Sequence, residues 1–287
     1  MANYHTKIMR QLFLLLLLSQ INVSYAQNLS CKEIIDRMIK AIDETKTLSF
    51  NFKQLARVNN SMKKSELNAR IQVNPRKIYI HMVYPKERIE ILYNAEKSDK
   101  VLVKPNAFPF IPIELDPFSN LLREDNHHTI FELGYTFMGS VIKQAVTMAG
   151  KDFDKYFEYK GTVNFEGRDC HAVVITFEDF TFVNYTVKQG ENLRKIAQEK
   201  KISDFMIMEN NPQIKNFNDI KPGQAIKIPN GYAKKTILYI DKEHYLPLMM
   251  TMFDDKGLYE RFEYRNLVVN PKFPETEFLR HHKDYGF

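Results

Sequence analysis

The side chains able to do chemistry are few and scattered. His127 and His128 stand side by side, with Glu132 four residues beyond His128. At that spacing a histidine and a glutamate share one helix face and could hold a metal ion. Two ligands are too few, and adjacent histidines diverge, so the plainer reading is a polar pair at a helix N-terminus. Cys170 is followed by His171. A nucleophilic thiol needs its base within hydrogen-bond reach, whereas neighbours on a strand point to opposite faces. His281 and His282 form a tail pair with no partner pattern nearby. No phosphate-binding loop or zinc spacing occurs, and no motif marks a pair of glycan-cleaving carboxylates. The expectation is a binding protein with no cofactor and no catalytic residue.

Lys7 and Arg10, the leucine run Leu12–Leu18 and the small residues Ser24 and Ala26 have the layout of a secretory signal peptide, residues 1–26, with Gln27 as the new N-terminus. That run is far shorter than the roughly 20 residues a membrane-spanning helix needs. The mature chain is therefore expected to be exported, to the periplasm or cell envelope. In an oxidising compartment Cys31 and Cys170 could pair; equally, they could stay as one exposed and one buried thiol. The net charge of +6 and pI near 9 favour anionic surroundings such as wall polymers or lipid headgroups. Nucleic acid is not expected as a partner of an exported protein.

With 44% hydrophobic and 26% charged residues, the chain should fold around a core. Ser30 with Glu33 reads as a capping box. Ile34, Ile35, Met38, Ile39 and Ile42 then form one stripe at helical spacing, predicting a helix over 30–45. Short alternating runs follow at 48–52, 66–73, 77–83, 88–93 and 100–104, separated by turn formers, which suggests an antiparallel meander. Prolines 105, 109, 112 and 117 exclude a helix or central strand there and predict an extended loop packed on the body. A second helix is expected from about Thr129 to Ala149. Strands resume at 156–165 and 168–177, and again at 236–240, 248–253 and 259–269.

Between those last two groups lies YTVKQGENLRKIAQEKKISDFMIMENNPQIKNFNDIKPGQAIKIP. Tyr185–Val187 reads as a strand. Gly190 permits a turn, and Asn192 caps a helix carrying Leu193, Ile196 and Ala197 inward. Ser203 caps a second helix, which Asn210-Asn211-Pro212 ends. After the turn Lys221-Pro222-Gly223-Gln224, Ala225–Ile228 closes the second strand. This βααβ unit resembles the LysM family along its whole length. The resemblance implies binding of an N-acetylglucosamine polymer, peptidoglycan above all, in a shallow groove between two loops. Carried over, one side of the groove is Gly190, Glu191, Asn192 and Leu193; the other is Asn218, Asp219, Ile220 and Pro222. Amides would satisfy the acetamido group, and an apolar side chain such as Ile220 would pack on its methyl and the sugar face. The family usually has Asp followed by Thr or Ser where this chain has Glu191 and Asn192.

The C-terminal run of the body around this unit carries Tyr239-Ile240-Asp241, Tyr245-Leu246-Pro247-Leu248, Asp254-Asp255-Lys256-Gly257, Tyr264-Arg265-Asn266-Leu267 and Asn270-Pro271. With the N-terminal helix, antiparallel strands and internal helix, it resembles the outer-membrane lipoprotein carrier superfamily, and an uncharacterised exported family with a LysM at this point. The expected fold is α+β: an incomplete antiparallel β-barrel with covering helices, discontinuous over 27–184 and 233–287, with the LysM domain inserted at 185–232. The strands on either side of the insertion should then be hairpin partners, because the two ends of a LysM lie side by side. The resemblance implies an apolar concave face that holds lipid or lipoprotein. Two other readings stay open: a peptidoglycan-remodelling hydrolase targeted by its LysM, and a structural link between wall and membrane.

Overall fold

The computed structural model describes residues 29–108 and 110–287; the segment read as a signal peptide lies outside them. Helix α1 (Cys31–Glu44) turns Ile34, Ile35, Met38 and Ile42 into the core, as its spacing requires. The chain then runs as a meander: β1 (Thr47–Val58), β2 (Ser61–Gln72), β3 (Lys77–Tyr84), β4 (Glu90–Asn94), β5 (Val101–Lys104) and the short β6 (Ile113–Leu115). Helix α2 (Thr136–Ala149) and the single-turn α3 (Phe153–Tyr156) lead into β7 (Phe157–Phe165) and β8 (Arg168–Thr176). The chain closes with β11 (Lys235–Asp241), β12 (Pro247–Asp254) and β13 (Gly257–Val269).

These strands form one antiparallel sheet of eleven, in the order β6-β5-β4-β3-β2-β1-β13-β12-β11-β8-β7. The two outer strands do not meet, so the sheet is open. The architecture is α+β, with few helices for so large a sheet.

Between β8 and β11 lie β9 (Phe182–Thr186), α4 (Leu193–Lys200), α5 (Asp204–Glu209) and β10 (Ala225–Pro229), with β9 and β10 paired as a separate two-stranded sheet. β8 and β11 are antiparallel neighbours, Thr176 opposite Lys235 and Cys170 opposite Asp241. The sheet therefore continues across the βααβ unit. That unit has its own core, with Leu193, Ile196, Ile207, Ile214, Ile226 and Ile228 buried together.

Two expectations need correction. Helix α2 begins seven residues later than the pattern suggested. Residues 129–135 instead form a 3-10 turn, Ile130–Glu132, and then pass through Gly134 at φ +89°. The Glu132 carboxylate folds back to accept the Thr129 amide at 3.0 Å, which closes the turn on itself. The proline-rich stretch is also not packed down on the body: Phe108 is 89% exposed, and Phe110 and Ile111 are exposed too. α1 and α2 cross closely, since a Cβ on Gly139 would lie 2.9 Å from Ile42 Cγ2. Among the described residues no helix is long and apolar enough to cross a membrane.

Candidate functional site

Alternation along β1 sets out three regions on one face. Leu48 and Phe50 belong to the core, Phe52 and Gln54 face a cavity, and Ala56 and Val58 meet the βααβ unit. On β13 the partners Tyr264, Phe262 and Glu260 lie opposite Phe52, Gln54 and Ala56. The same face therefore passes from aromatic to charged in two steps.

The cavity holds about 640 Å³, within the range of roughly 300–1,000 Å³ usual for small-ligand sites. Its floor is the sheet, through Phe52, Leu67, Ile80, Ile91, Val103 and Phe262. Its roof is the segment 121–134 with Met138 of α2. Arg76 fixes the roof by donating to the carbonyls of Phe131 and Leu133 at 3.0 and 2.7 Å. Exposed Met62, Tyr84, Ile113 and Leu121 stand among the lining residues, and Lys63, Lys64 and Lys86 add positive charge there.

One end of the cavity is a buried charge cluster. Glu260 is fully buried, and its Oε2 lies 3.0 Å from both His127 Nδ1 and His128 Nε2. His128 Nδ1 reaches Glu132 Oε2 at 3.1 Å, His127 Nε2 faces the Arg57 carbonyl at 2.8 Å, and the Tyr232 hydroxyl donates to Glu260 Oε1. The adjacent histidines thus converge on one carboxylate, because they lie in a bend ahead of the 3-10 turn Ile130–Glu132 and not on a helix. Burial alone would lower the His128 pKa. The charge of Glu260 and the hydrogen bonds the ring donates to both carboxylates outweigh it and raise the value to about 10. Burial would raise that of Glu260, but the His128 charge and the two imidazole hydrogen bonds hold it down at about 2. The His128 ring thus sits between two carboxylates that favour its charged form.

The βααβ unit is joined to the body along this edge. Arg123 makes a buried bidentate pair with Asp204 at 2.8 and 2.9 Å and also donates to the His127 carbonyl. Ser203 and Tyr259 hydroxyls meet at 2.7 Å. Met206 packs against Tyr259, and Phe205 against Ala56 and Val58. Tyr259 and Glu260 are both fully buried, and the His127 ring meets both, stacking on Tyr259 at 4.2 Å while its Nδ1 reaches Glu260.

The two groove loops do come together. Asn192 Nδ2 donates to Asn218 Oδ1 at 3.1 Å, and the Leu193 amide donates to the Phe217 carbonyl at 3.1 Å. Asn192 also caps α4, accepting from the Lys195 amide at 2.9 Å. Gly190 turns at φ +78°; it, Asn218, Asp219 and Pro222 are exposed. Both oxygens of Glu191 are occupied within the unit, accepting from the Tyr185 hydroxyl and the Lys188 amide at 2.7 Å each. Leu193 is fully buried and Ile220 is 8% exposed, both in the unit's core. Their side chains offer a sugar little surface, and their backbones are what the loops present.

A family model matches residues 45–189, just over half of the chain. The chain belongs to the DUF1571 family. That family is described as "Protein of unknown function", and the DUF1571 match runs from the start of β1 to just past β9. A LysM domain matches residues 185–229. Several solved structures cover most of the chain at low identity and with TM-scores below 0.5. LprF from Mycobacterium bovis has 10% identity, covers 85% of this chain and 95% of its own, and has a TM-score of 0.44. Lipoprotein LppX from Mycobacterium tuberculosis has 9% identity, coverages of 85% and 97%, and a TM-score of 0.41. A LolA superfamily protein from Nitrosomonas europaea has 10% identity, coverages of 88% and 99%, and a TM-score of 0.33. No curated protein matches the chain.

Other reactive groups of this DUF1571 chain lie away from the cavity. Cys31 and Cys170 are free thiols, and burial pushes both up to about 11. Asp241, Glu243 and His244 bring their ligand atoms within 4.8 Å of one another, but Arg168 already pairs with Asp241 at 2.6 Å and Glu243 at 3.4 Å. His282 is not a loose tail residue: it is buried, with its ring 4.3 Å from that of Tyr285.

Proposed function

We propose that this is an exported envelope protein that grips peptidoglycan through its LysM domain, treated as an insertion over 185–232, and holds one acyl chain of a lipid or lipoprotein in the body cavity. The carrying observation is the 640 Å³ apolar cavity on the same face of β1 that meets the LysM unit. A chain of methylenes gains roughly 0.8 kcal/mol for each one moved out of water, and this lining supplies little else to recognise. On the glycan side, exposed Asn218, Asp219 and the backbone of Gly190 offer the donors and acceptors an acetamido group needs. A non-enzymatic role fits a charge cluster whose members satisfy one another.

The test uses the mature full-length protein, sedimented with insoluble peptidoglycan and extracted for co-purified lipid. Deleting 185–232 would bare Ala56, Val58 and Tyr259 and cut the Arg123 and Glu260 networks, so a point variant is the better control. Asn218→Ala should weaken peptidoglycan retention about fivefold, the worth of roughly one hydrogen bond, while leaving the melting temperature within a degree or two. If the intact protein stays in the supernatant, the glycan reading fails. If extraction yields no acyl lipid and no fatty acid competes for the cavity, the carrier reading fails.

A further inference from the structure

The segment from Phe118 to His128 touches both proposed sites. On one side it roofs the cavity through Leu121, Leu122 and Asn126. There it is strapped down by two exposed ion pairs, Lys63 to Asp125 at 3.3 Å and Lys86 to Glu124 at 2.5 Å. Exposed pairs of this kind hold little. On its other side the same segment is held by the LysM unit. The Arg194 guanidinium lies 3.4 Å from the Phe118 ring centre, and Arg123 sits 3.8 Å over the Phe217 ring while its fork is paired with buried Asp204. The buried Arg123–Asp204 pair is costly to part. Residues 118–125 are thus held more firmly by the LysM unit than by the cavity rim, while Asn126, His127 and His128 fix the end of the segment to β1 and β13.

The fastening points adjoin the groove. Arg194 directly follows Leu193, Phe217 directly precedes Asn218, and the Leu193 amide already bonds the Phe217 carbonyl. A glycan drawn between the Gly190–Leu193 and Asn218–Pro222 loops would fix both contact points at once. We infer that residues 118–125 are a lid, hinged at Asn126–His128 and coupling the two sites, such that an N-acetylglucosamine oligomer in the groove seats the lid and tightens the hold on an acyl chain; this rests on the functional reading above. The two states are a lid seated on the rim, with both ion pairs made, and a lid lifted from it. Glycan favours the seated state by restricting the elements that anchor it.

Coupling of this kind is reciprocal, which makes it measurable from either side. The full mature chain is titrated with cis-parinaric acid, a fluorescent long-chain fatty acid, with and without saturating chitohexaose. It is then titrated with chitohexaose, with and without saturating parinaric acid. The expected result is about a fivefold or larger tightening, by the same factor in both directions. Arg194→Ala and Phe118→Ala each remove a contact between lid and LysM unit without removing a cavity-lining or groove residue. Each should bind either ligand alone within about twofold of the parent while losing the tightening. If both ligands bind the parent and neither changes the other's affinity, the coupling is overturned and the two-site reading survives. If either ligand does not bind at all, that reading fails and the coupling with it.

Discussion

Replacing Glu260 by alanine is expected to destabilise the protein by about 3–5 kcal/mol, the usual cost of leaving buried charge without its partner. The carboxylate meets both imidazoles at 3.0 Å and accepts from Tyr232, with no water-exposed surface of its own. Its loss leaves the His128 ring with Glu132 alone and the Tyr232 hydroxyl without its carboxylate acceptor. Urea unfolding followed by circular dichroism measures the change, and a loss below about 1 kcal/mol would sink the account. Glu260→Gln keeps the shape but not the charge, so it should fall between the parent and the alanine variant. The pH dependence has a definite sign. The His128 pKa is raised from 6.5 to about 10, so its contribution is complete below pH 6.5 and is lost as pH rises towards 10. That of Glu260 is lowered from 4.5 to about 2, so its contribution is complete above pH 4.5 and is lost as pH falls towards 2. Both shifts describe one interaction seen from each partner and are not summed. Stability should peak between about pH 4.5 and 6.5, and in Glu260→Gln its alkaline decline should be shallower.

Most strands were legible because alternation and turn formers fix them locally. The β8–β11 pairing was legible because a βααβ unit brings its two ends together. The cluster was not, for reasons tied to particular residues. His128 and Glu132 are four apart, a helical spacing, but His127 and His128 lie in a bend and only Ile130–Glu132 turn, as a 3-10 helix, so helical rules gave the wrong directions for the histidine rings. Glu260 did carry a signal. In Glu260-Arg261-Phe262-Glu263-Tyr264 it shares a face with Phe262 and Tyr264, and an acidic residue at an inward position demands a cation opposite. That cation lies 132 residues away in the chain, a distance no local pattern spans. That the Gly190–Leu193 and Asn218–Pro222 loops would adjoin was legible from the order of the βααβ elements. Burial of Leu193 and Ile220, and internal use of Glu191, depend on how the unit's own core closes.

The second large effect concerns how the LysM unit is held. Arg123→Ala is expected to cost about 3–5 kcal/mol, because Asp204 would remain buried without its guanidinium. Asp204→Ala should cost a similar amount, stranding Arg123 between Phe217 and the His127 carbonyl. The double replacement Arg123→Met with Asp204→Leu leaves neither charge unpaired. It should recover most of the loss, since apolar pairs of similar volume often match buried ion pairs. Such non-additivity separates a buried pair from two independent positions. The damage should also be local. The LysM unit keeps its own core of Leu193, Ile196, Ile207 and Ile226, so β9 and β10 should retain their amide protection. Faster hydrogen exchange should appear in α5, whose Phe205 and Met206 pack on the body, and in 118–125, which loses its anchor to the LysM unit. Exchange accelerated throughout the chain would instead make Arg123–Asp204 a general contributor to stability, and the picture of a separately folded unit fastened at one edge would fail.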